Sequence, residues 1–243
     1  MTTTDISIIV PAYNEEALIQ NTLDGLHSYF SSRPEQFEIV VVDDGSRDHT
    51  VSHIEDWQKS NDIHLKLLVN DRNRGKGYSV RRGVLESCGH YVIFIDADLP
   101  YQLHAIDDFL KALRSGHDMA VGSRILPGSE VRGVSSVRYL AGQVFSWLEQ
   151  FILSTGLADT QCGFKAFTAS AAREIFRRVT IDGFGFDVEM IFVARKLNYS
   201  IQPIAVRMID RNRASRVRLV DDSIRMFINL FAIRWLDWQG KYK

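Results

Sequence analysis

Four short runs rich in valine and isoleucine recur in the first 95 residues, each separated from the next by a longer segment of helical periodicity. The runs are Ile6 to Val10, Phe37 to Val42, His64 to Val69 and Tyr91 to Ile95. The segments between them have the length of crossover helices: Glu15 to Phe30, His49 to Ser60 and Lys76 to Ser87. This alternation predicts an α/β fold, in which a mostly parallel central sheet of βαβ units is flanked by helices.

The alternation becomes less regular after residue 100. Helices are predicted near Gln102 to Ser115, Ser135 to Ser154, Ala169 to Arg178, Phe186 to Leu197 and Val220 to Trp238, and strands near Met119 to Val121, Gly163 to Phe167 and Ile201 to Val206. No Pro- or Gly-rich linker separates residues 1–100 from residues 101–243. We therefore expect the two halves to share one core as a single domain.

Charge and cysteine content exclude several classes of protein. The formal net charge is −1, so the overall balance offers no electrostatic case for a nucleic-acid partner. Two cysteines, Cys88 and Cys162, make no disulfide framework and fit a reducing compartment. The amino-terminal residues lack the pattern of a secretory signal, and charged residues interrupt the longest apolar segments. We expect a cytoplasmic protein, either soluble or peripheral to a membrane.

Acidic residues follow the second predicted strand. Beyond a strand of a parallel sheet, Asp43 and Asp44 can accept hydrogen bonds from a ribose or a base, and their pairing favours contact with a nucleotide. Ser46 and Asp48 are more typical of helix caps that bind the first helical amides.

The loop after the third predicted strand runs from Asn73 to Gly77 and opens a helix. Its backbone amides, at Gly75 for example, and the cation of Lys76 could face a phosphate or a base. Cationic residues at the start of a helix are equally often solvated, so both interpretations stay open.

Asp96 and Asp98 come directly after the apolar run that ends at Ile95. Two alternate carboxylates together with diphosphate oxygens suit Mg²⁺ or Mn²⁺. Such a metal ion would neutralise the charge that develops on a leaving diphosphate. The alternative is a pair of turn-forming aspartates, but the position at the end of a fourth strand favours the metal.

Four blocks of the first half resemble the motifs of family-2 GT-A glycosyltransferases: IVPAYNEE (9–16), VVDDGSRDHT (41–50), NRGKGYSVRRGV (73–84) and DADLP (96–100). In the second half, GSR (122–124), DTQCGFK (159–165) and FDVEM (186–190) resemble the branch that makes dolichyl-phosphate or polyprenyl-phosphate sugars. The dolichyl-phosphate glucosyltransferases are the nearest group within that branch.

The resemblance implies a GT-A, Rossmann-like fold in which residues 1–100 bind a nucleotide-sugar and residues 101–243 bind the acceptor. It implies that the nucleotide is lined by Pro11, Tyr13, Glu15 and Asp43. It further implies that Asp96 and Asp98 serve the metal and the diphosphate, and that Arg124 and Arg138 face an acceptor phosphate. Inversion at the sugar carbon is implied by the family, and UDP-glucose is the donor that the resemblance favours.

A phosphate acceptor also agrees with the distribution of cations. A phosphate monoester has its second pKa near ~6, so it is anionic at neutral pH and needs cations more than it needs a general base. Arginines suited to this purpose are Arg124, Arg138 and the cluster Arg207, Arg211, Arg213, Arg216 and Arg218. A solvated charged loop is the alternative for the cluster.

Three acidic residues of the second half have two interpretations each. Asp159 is the best candidate to orient the acceptor or the sugar, but it could simply pair with Arg124 or Lys165. Asp187 and Glu189 could bind sugar hydroxyls or hold arginines, or they could stabilise the start of a helix through its dipole.

The last predicted helix is amphipathic. Its apolar stripe contains Ile224, Ile228, Phe231, Trp235 and Trp238. Together with the apolar segment Val137 to Leu153, it could lie on a bilayer surface, and packing against the domain or a partner subunit is the alternative.

These observations predict a metal-dependent inverting glycosyltransferase that moves a hexose from a nucleotide-sugar to a polyprenyl or dolichyl phosphate at the cytoplasmic face of a membrane. Two other functions stay open. One is transfer to a soluble or polysaccharide acceptor, and the other is a non-catalytic module that binds a sugar nucleotide.

Overall fold

The computed structural model describes residues 4–132, 136–209 and 219–243, with the side chains of 136–141, 209 and 219–223 left out. Its strands are β1 (Ile6–Ala12), β2 (Phe37–Asp43), β3 (Leu65–Val69), β4 (Tyr91–Ile95), β5 (Met119–Ser123), β6 (Glu130–Arg132), β7 (Phe164–Thr168), β8 (Ile201–Ala205) and β9 (Arg207–Ile209). Its helices are α1 (Ile19–Ser31), α2 (Thr50–Ser60), α3 (Lys76–Glu86), α4 (Ala105–Arg114), α5 (Ser136–Leu153), α6 (Ala169–Arg178), α7 (Phe186–Lys196) and α8 (Leu219–Trp238).

Seven strands form the central sheet, in the order β3-β2-β1-β4-β7-β5-β8. The first four strands pair in parallel, and β5 pairs in parallel with β8. This confirms the predicted parallel βαβ organisation of the first half. Strands from both halves of the sequence contribute to the same sheet.

The strand β7 runs antiparallel to both of its neighbours, β4 and β5. Its first residue, Phe164, therefore pairs with Ile95, the last residue of β4. The segment that leads into β7 consequently enters at the edge where β4 and β5 end. In a sheet of this kind, that edge is where ligands bind.

Helices cover both faces of the sheet. One buried cluster packs α1, α2 and α4 against the sheet, with Leu23, Trp57 and Phe109 among its members. The other packs α3, α6 and α7 on the opposite face, with contributions from the ends of α5 and α8. Central strands such as β1 are buried on both faces, which explains their continuous apolar sequence.

Two features differ from the sequence predictions. Helix α1 begins at Ile19 and not near Glu15, because the amides of Glu15 and Glu16 bind the side chains of Thr50 and Asp48. The left-handed φ of Asn14 (52°) also breaks the turn that precedes it. In addition, β6 and β9 pair in parallel as a separate two-stranded sheet that the sequence did not predict. Strands of three residues carry too short a pattern to detect.

Candidate functional site

A pocket of about 310 Å³ opens where β1, β2 and β3 end. Its walls come from the loops after these strands and include Tyr13, Asp43, Arg47, Asn70 and Arg72. Three loops from consecutive parallel strands meet here because the crossovers place all three carboxyl ends on one edge of the sheet. Pro11, by contrast, lies within β1 opposite Val42.

Asp43 is fully buried at the end of β2 and lines this pocket. Its Oδ2 accepts a hydrogen bond from the Ser46 amide at 2.9 Å. Its Oδ1 has no hydrogen-bond partner among the described residues. A buried carboxylate oxygen without a partner is costly in free energy, so this atom suits an N–H or O–H donor of a ligand.

Side-chain hydrogen bonds join the first loop, which follows β1, to the second loop, which follows β2. The Ser46 hydroxyl accepts from the Asn14 amide at 2.8 Å, and the Asn14 side-chain oxygen accepts from the Arg47 amide at 2.8 Å. The prediction that Ser46 caps a helix is therefore wrong, because its hydroxyl is used between loops. Asp48 does accept from the amide of Thr50, the first residue of α2, as predicted.

Asp44 holds the third loop, which follows β3, in place. Its carboxylate accepts hydrogen bonds from Asn70 Nδ2 at 2.7 Å and from the amides of Arg74 and Gly75 at 2.9 and 2.8 Å. Both oxygens and both amides are thus used within the protein. Gly75 has a φ of 107°, and an added Cβ would lie 2.4 Å from the carbonyl oxygen of Asp182. The contact of Asp44 with a nucleotide stays a prediction.

Lys76, the first residue of α3, reaches the end of β4. Its Nζ lies 2.6 Å from Asp96 Oδ1 and above the rings of Phe94 and Phe186. Burial by itself lowers the pKa of Lys76, but the charges of Asp96 and Asp187 outweigh it and hold that pKa above its usual value. The loop after β3, which lines the pocket, is therefore connected through Lys76 to Asp96 at the end of β4.

The donor set at Asp96 and Asp98 fits a divalent cation that arrives with further oxygen ligands. Asp96 is partly exposed and Asp98 is exposed. Among the described residues, no group of three or more histidine, cysteine or acidic side chains could hold a metal by itself. Mg²⁺ is commonly bound by one or two carboxylates plus phosphate oxygens and water.

Gly163 is packed against Asp96 and was not singled out from the sequence. A Cβ added at this position would lie 1.9 Å from Asp96 Oδ2. The close approach follows from the direction of β7, which brings Gly163 to the end of β4. The only sequence signal was its position within the stretch that resembles the glycosyltransferase motif.

Lys165 and Asp187 form a buried ion pair near the end of β4. Lys165, which is fully buried, donates to Asp187 and to the carbonyl oxygen of Cys162. Glu189 accepts from the amides of Thr180 and Ile181. Among the described residues, these two acids hold no arginine, since Asp187 pairs with Lys165 and Glu189 binds a loop.

Arg124 and Asp159 form a two-point ion pair. Arg124 Nε and Nη2 each donate to the carboxylate of Asp159 at 2.8 Å, and the Arg124 amide donates to it as well. Burial opposes both charges, yet these hydrogen bonds raise the pKa of Arg124 and lower the pKa of Asp159. Pairing of Asp159 with Arg124 was one of the two interpretations of the sequence.

The arginine pair and the acidic pair share a neighbour. The charges of Arg124 and Asp96 both act on the buried Tyr101, whose pKa is raised mainly by burial. Tyr101 had no signal in the sequence. Arg138 belongs to α5, but its side chain lies outside the described residues, as do Arg211, Arg213, Arg216 and Arg218. Arg207 is exposed on β9.

Helices α5 and α8 pack against each other and expose large apolar side chains. We call this set the α5/α8 apolar surface: Val144, Trp147 and Phe151 on α5, and Ile224, Ile228, Phe231, Trp235 and Trp238 on α8. Trp147, Phe151 and Trp238 are 65, 77 and 79 % exposed. The predicted stripe of α8 is thus exposed and does not pack on the domain, whereas Leu230 and Ile233 are buried. No helix within the described ranges combines the length and the apolar character needed to cross a bilayer.

The arrangement therefore combines a polar pocket, the two carboxylates of Asp96 and Asp98, which suit a cation, and Arg124 in an ion pair with Asp159. These features lie along one edge of the sheet in the order of the strands. Such a set can bind a nucleoside diphosphate and stabilise negative charge near it.

Comparisons with known proteins agree with this geometry. Residues 7–176 match the family described as Glycosyl transferase family 2. The chain is 32% identical to a dolichyl-phosphate beta-glucosyltransferase of Dictyostelium discoideum, over 98% of this chain and 76% of that protein. It is 33% identical to the human protein of the same name, over 84% of this chain and 67% of that protein.

The fold also resembles solved structures. A glucosyl-3-phosphoglycerate synthase from Mycobacterium tuberculosis, solved with Mn²⁺, UDP and glucosyl-3-phosphoglycerate, matches with a TM-score of 0.69 at 18% identity, over 96% of this chain and 79% of that chain. At that identity the likeness concerns the fold alone, and it confirms the predicted GT-A architecture.

Proposed function

The chain belongs to glycosyl transferase family 2, and from that membership we propose that it transfers glucose from UDP-glucose to a dolichyl or polyprenyl phosphate. The observation that carries the proposal is Asp43 Oδ1, which has no partner among the described residues and lies in a pocket whose third loop reaches Asp96 through Lys76. A donor with a base at one end and a diphosphate at the other matches that layout.

The proposed donor is supported by the relatives. The Dictyostelium and human proteins carry the name dolichyl-phosphate beta-glucosyltransferase, and the Mycobacterium tuberculosis structure contains UDP and Mn²⁺. In this chain, Tyr13 and Asp43 would contact the uridine, and the backbone of the loop held by Asp44 would form the opposite wall.

The proposed metal is Mg²⁺ or Mn²⁺, held by Asp96 and Asp98 together with oxygens of the donor diphosphate. When bound, the metal supplies positive charge that stabilises the departing UDP. The chain's own residues do the rest. Lys76 adds a second positive charge beside the diphosphate. Gly163 has no side chain, which leaves space for the carboxylate of Asp96.

The proposed acceptor is a phosphate, whose oxygen attacks the anomeric carbon while the bond to UDP breaks, with inversion at that carbon. Arg124, oriented by Asp159, and the side chains of Arg138 and Arg216 are its proposed partners. Because the acceptor is already ionised, no general base is required. A guanidinium fixed in advance loses little entropy when it binds phosphate.

We further propose that the α5/α8 apolar surface lies on the cytoplasmic face of a lipid bilayer, where a polyprenyl phosphate is found. Aromatic rings such as Trp147 and Trp235 favour the headgroup layer. Arg225 and Arg234, the basic side chains described on α8, provide charge that matches anionic lipids.

Vesicle binding tests this surface. The wild-type protein is expected to sediment with vesicles that contain anionic lipid, and Phe151→Glu is expected to weaken binding by about tenfold or more, since a charge replaces an exposed ring. Leu85→Glu, an exposed apolar residue on α3, is the matched control. Equal binding by wild type and Phe151→Glu would contradict the proposal.

The function is tested by offering radiolabelled nucleotide-sugars with and without polyprenyl phosphate, in the presence of Mn²⁺. Label from UDP-glucose should appear in the organic phase only when the lipid phosphate is present. Label in a water-soluble product would favour a soluble or polysaccharide acceptor. Binding of UDP without any transfer would favour a non-catalytic module.

A further inference from the structure

Lys76 forms an ion pair with one of the two carboxylates of the proposed metal site. Its Nζ lies 2.6 Å from Asp96 Oδ1. The other oxygen, Oδ2, lies against Gly163, where an added Cβ would be 1.9 Å away. A metal ion bound to either oxygen of this carboxylate would therefore lie close to the ammonium group of Lys76.

The backbone on either side of Lys76 is held in place, so only the lysine side chain is able to move. The amides of Arg74 and Gly75 are bound to Asp44, and the Tyr78 amide donates to the carbonyl oxygen of Asp182 at 3.1 Å. Gly77 is packed so closely that an added Cβ would lie 2.4 Å from the carbonyl oxygen of Ile181. A lysine side chain has four flexible carbon atoms beyond this rigid start.

Two cations cannot share one carboxylate group at such a distance without strong repulsion. A divalent cation at Asp96 therefore requires the ammonium group to move. Moving it into an apolar surrounding would leave a charge unpaired, which is costly. Another anion beside it removes that cost, and the donor diphosphate is such an anion, because Lys76 continues the loop that lines the pocket.

We propose that Lys76 couples metal binding to nucleotide binding: it holds Asp96 in the nucleotide-free protein and transfers to the diphosphate when the metal takes that carboxylate. The inference rests on the proposed function. It assigns Lys76 a task beyond contact with phosphate, since the lysine makes the metal site weak until the nucleotide is present. By linkage, the metal tightens nucleotide binding by the same factor.

The test is Mn²⁺ affinity, measured by electron paramagnetic resonance with and without UDP, which needs no glycosyl transfer. In the wild type, UDP is expected to tighten Mn²⁺ binding by about tenfold or more. In Lys76→Met, nucleotide-free protein is expected to bind Mn²⁺ at least about fivefold more tightly, and the effect of UDP is expected to shrink by that factor or more. Lys76→Gln, which keeps a hydrogen-bond donor near Asp96 without the charge, should behave in the same way.

Lys59→Met is the matched control, because it removes an exposed lysine whose partner is Asp56 on α2. It should leave both Mn²⁺ affinities unchanged. If Mn²⁺ binds the wild type but binds nucleotide-free Lys76→Met and Lys76→Gln no more tightly, the coupling proposal is overturned while the metal site stands. If Mn²⁺ fails to bind the wild type even with UDP, the metal site and the coupling are both overturned.

Discussion

Asp43 and Asp44 are neighbours in the sequence but have different surroundings. In the part of the chain that the structure describes, Asp43 Oδ1 has no hydrogen-bond partner, whereas the oxygens of Asp44 accept three hydrogen bonds from Asn70, Arg74 and Gly75. Both side chains are buried. From the sequence the two residues form one acidic pair. Their hydrogen bonds make Asp43 the candidate for a ligand contact and Asp44 a support of the neighbouring loop.

Asp43→Asn should weaken UDP binding by about 10- to 100-fold, or about 1.4 to 2.7 kcal/mol. If the side-chain oxygen keeps its bond to the Ser46 amide, the NH₂ group then faces the pocket and opposes a donor on the ligand. Calorimetric titration with UDP measures the change. Asp62→Asn, which alters an exposed carboxylate outside the pocket, is the control and should bind as the wild type does. Unchanged affinity in Asp43→Asn would remove Asp43 from the nucleotide site.

Gly163→Ala should reduce kcat/KM for transfer by about 100-fold or more, or about 2.7 kcal/mol. The new methyl group would collide with the carboxylate of Asp96, and the φ of Gly163 does not require glycine, so the cause is this collision and not backbone strain. Steady-state kinetics with the labelled donor checks it. Gly183→Ala, where an added Cβ meets nothing within 4 Å, should retain activity. A fully active Gly163→Ala would mean that the position of Asp96 is unimportant.

At the scale of elements, helix α5 is fixed to the loop that carries Asp159. Glu149 on α5 is buried and accepts hydrogen bonds from the hydroxyls of Thr155 and Thr160. Burial raises the pKa of Glu149 to about 7, although these hydrogen bonds lower it. Helix α5, which carries part of the α5/α8 apolar surface, is thus tied to the loop that contains Asp159 by a carboxyl group whose pKa lies near 7.

The native state keeps the proton of Glu149 at pH values where the unfolded chain, with a pKa of 4.5, has lost it. Its contribution to stability is therefore complete below the lower value and is lost as pH rises through about 7, by up to about 3 kcal/mol. In Glu149→Gln this loss should disappear. Urea unfolding at acidic and alkaline pH measures the difference. Glu55→Gln, on the exposed side of α2, is the control, and an identical pH dependence of wild type and Glu149→Gln would contradict the assignment.

At the scale of the whole molecule, two features position the residues of the site that come after residue 100: the antiparallel direction of β7 and the contacts of Tyr242. Because β7 is antiparallel, residues 159–163 reach the edge where Asp96 and Arg124 lie. Beyond α8, Tyr242 is fully buried, contacts Phe192 edge to face and donates to Glu189 at 2.7 Å. Glu189 in turn fixes the loop that backs Gly75 and Gly77.

Tyr242→Phe should lower the free energy of unfolding by about 1.5 to 3 kcal/mol, because a buried carboxylate loses a hydrogen-bond donor. Urea unfolding at neutral pH checks the value. Lys241→Ala changes an exposed neighbour and should stay within about 0.5 kcal/mol of the wild type. If Tyr242→Phe unfolds at the same urea concentration as the wild type, the hydrogen bond from Tyr242 to Glu189 does not contribute to stability.

The sequence by itself determined the helices and strands of the central sheet, apart from the start of α1, and the edge of that sheet at which the candidate site lies. Strand and helix periodicity gave the parallel strands β1 to β4, and the stop of each apolar run located the loops that meet in the pocket. These properties are local, because a buried parallel strand needs a continuous apolar run and the residue after it must lie at the carboxyl edge.

The tertiary structure decided the partners of the charged residues. It pairs Lys76 with Asp96, Lys165 with Asp187 and Arg124 with Asp159, residues that are 20 or more positions apart. It also gave β7 its direction and placed Gly163 against Asp96. A run of residues specifies which groups are available, but which of them meet depends on strand order and direction, and the packing of the whole chain sets both.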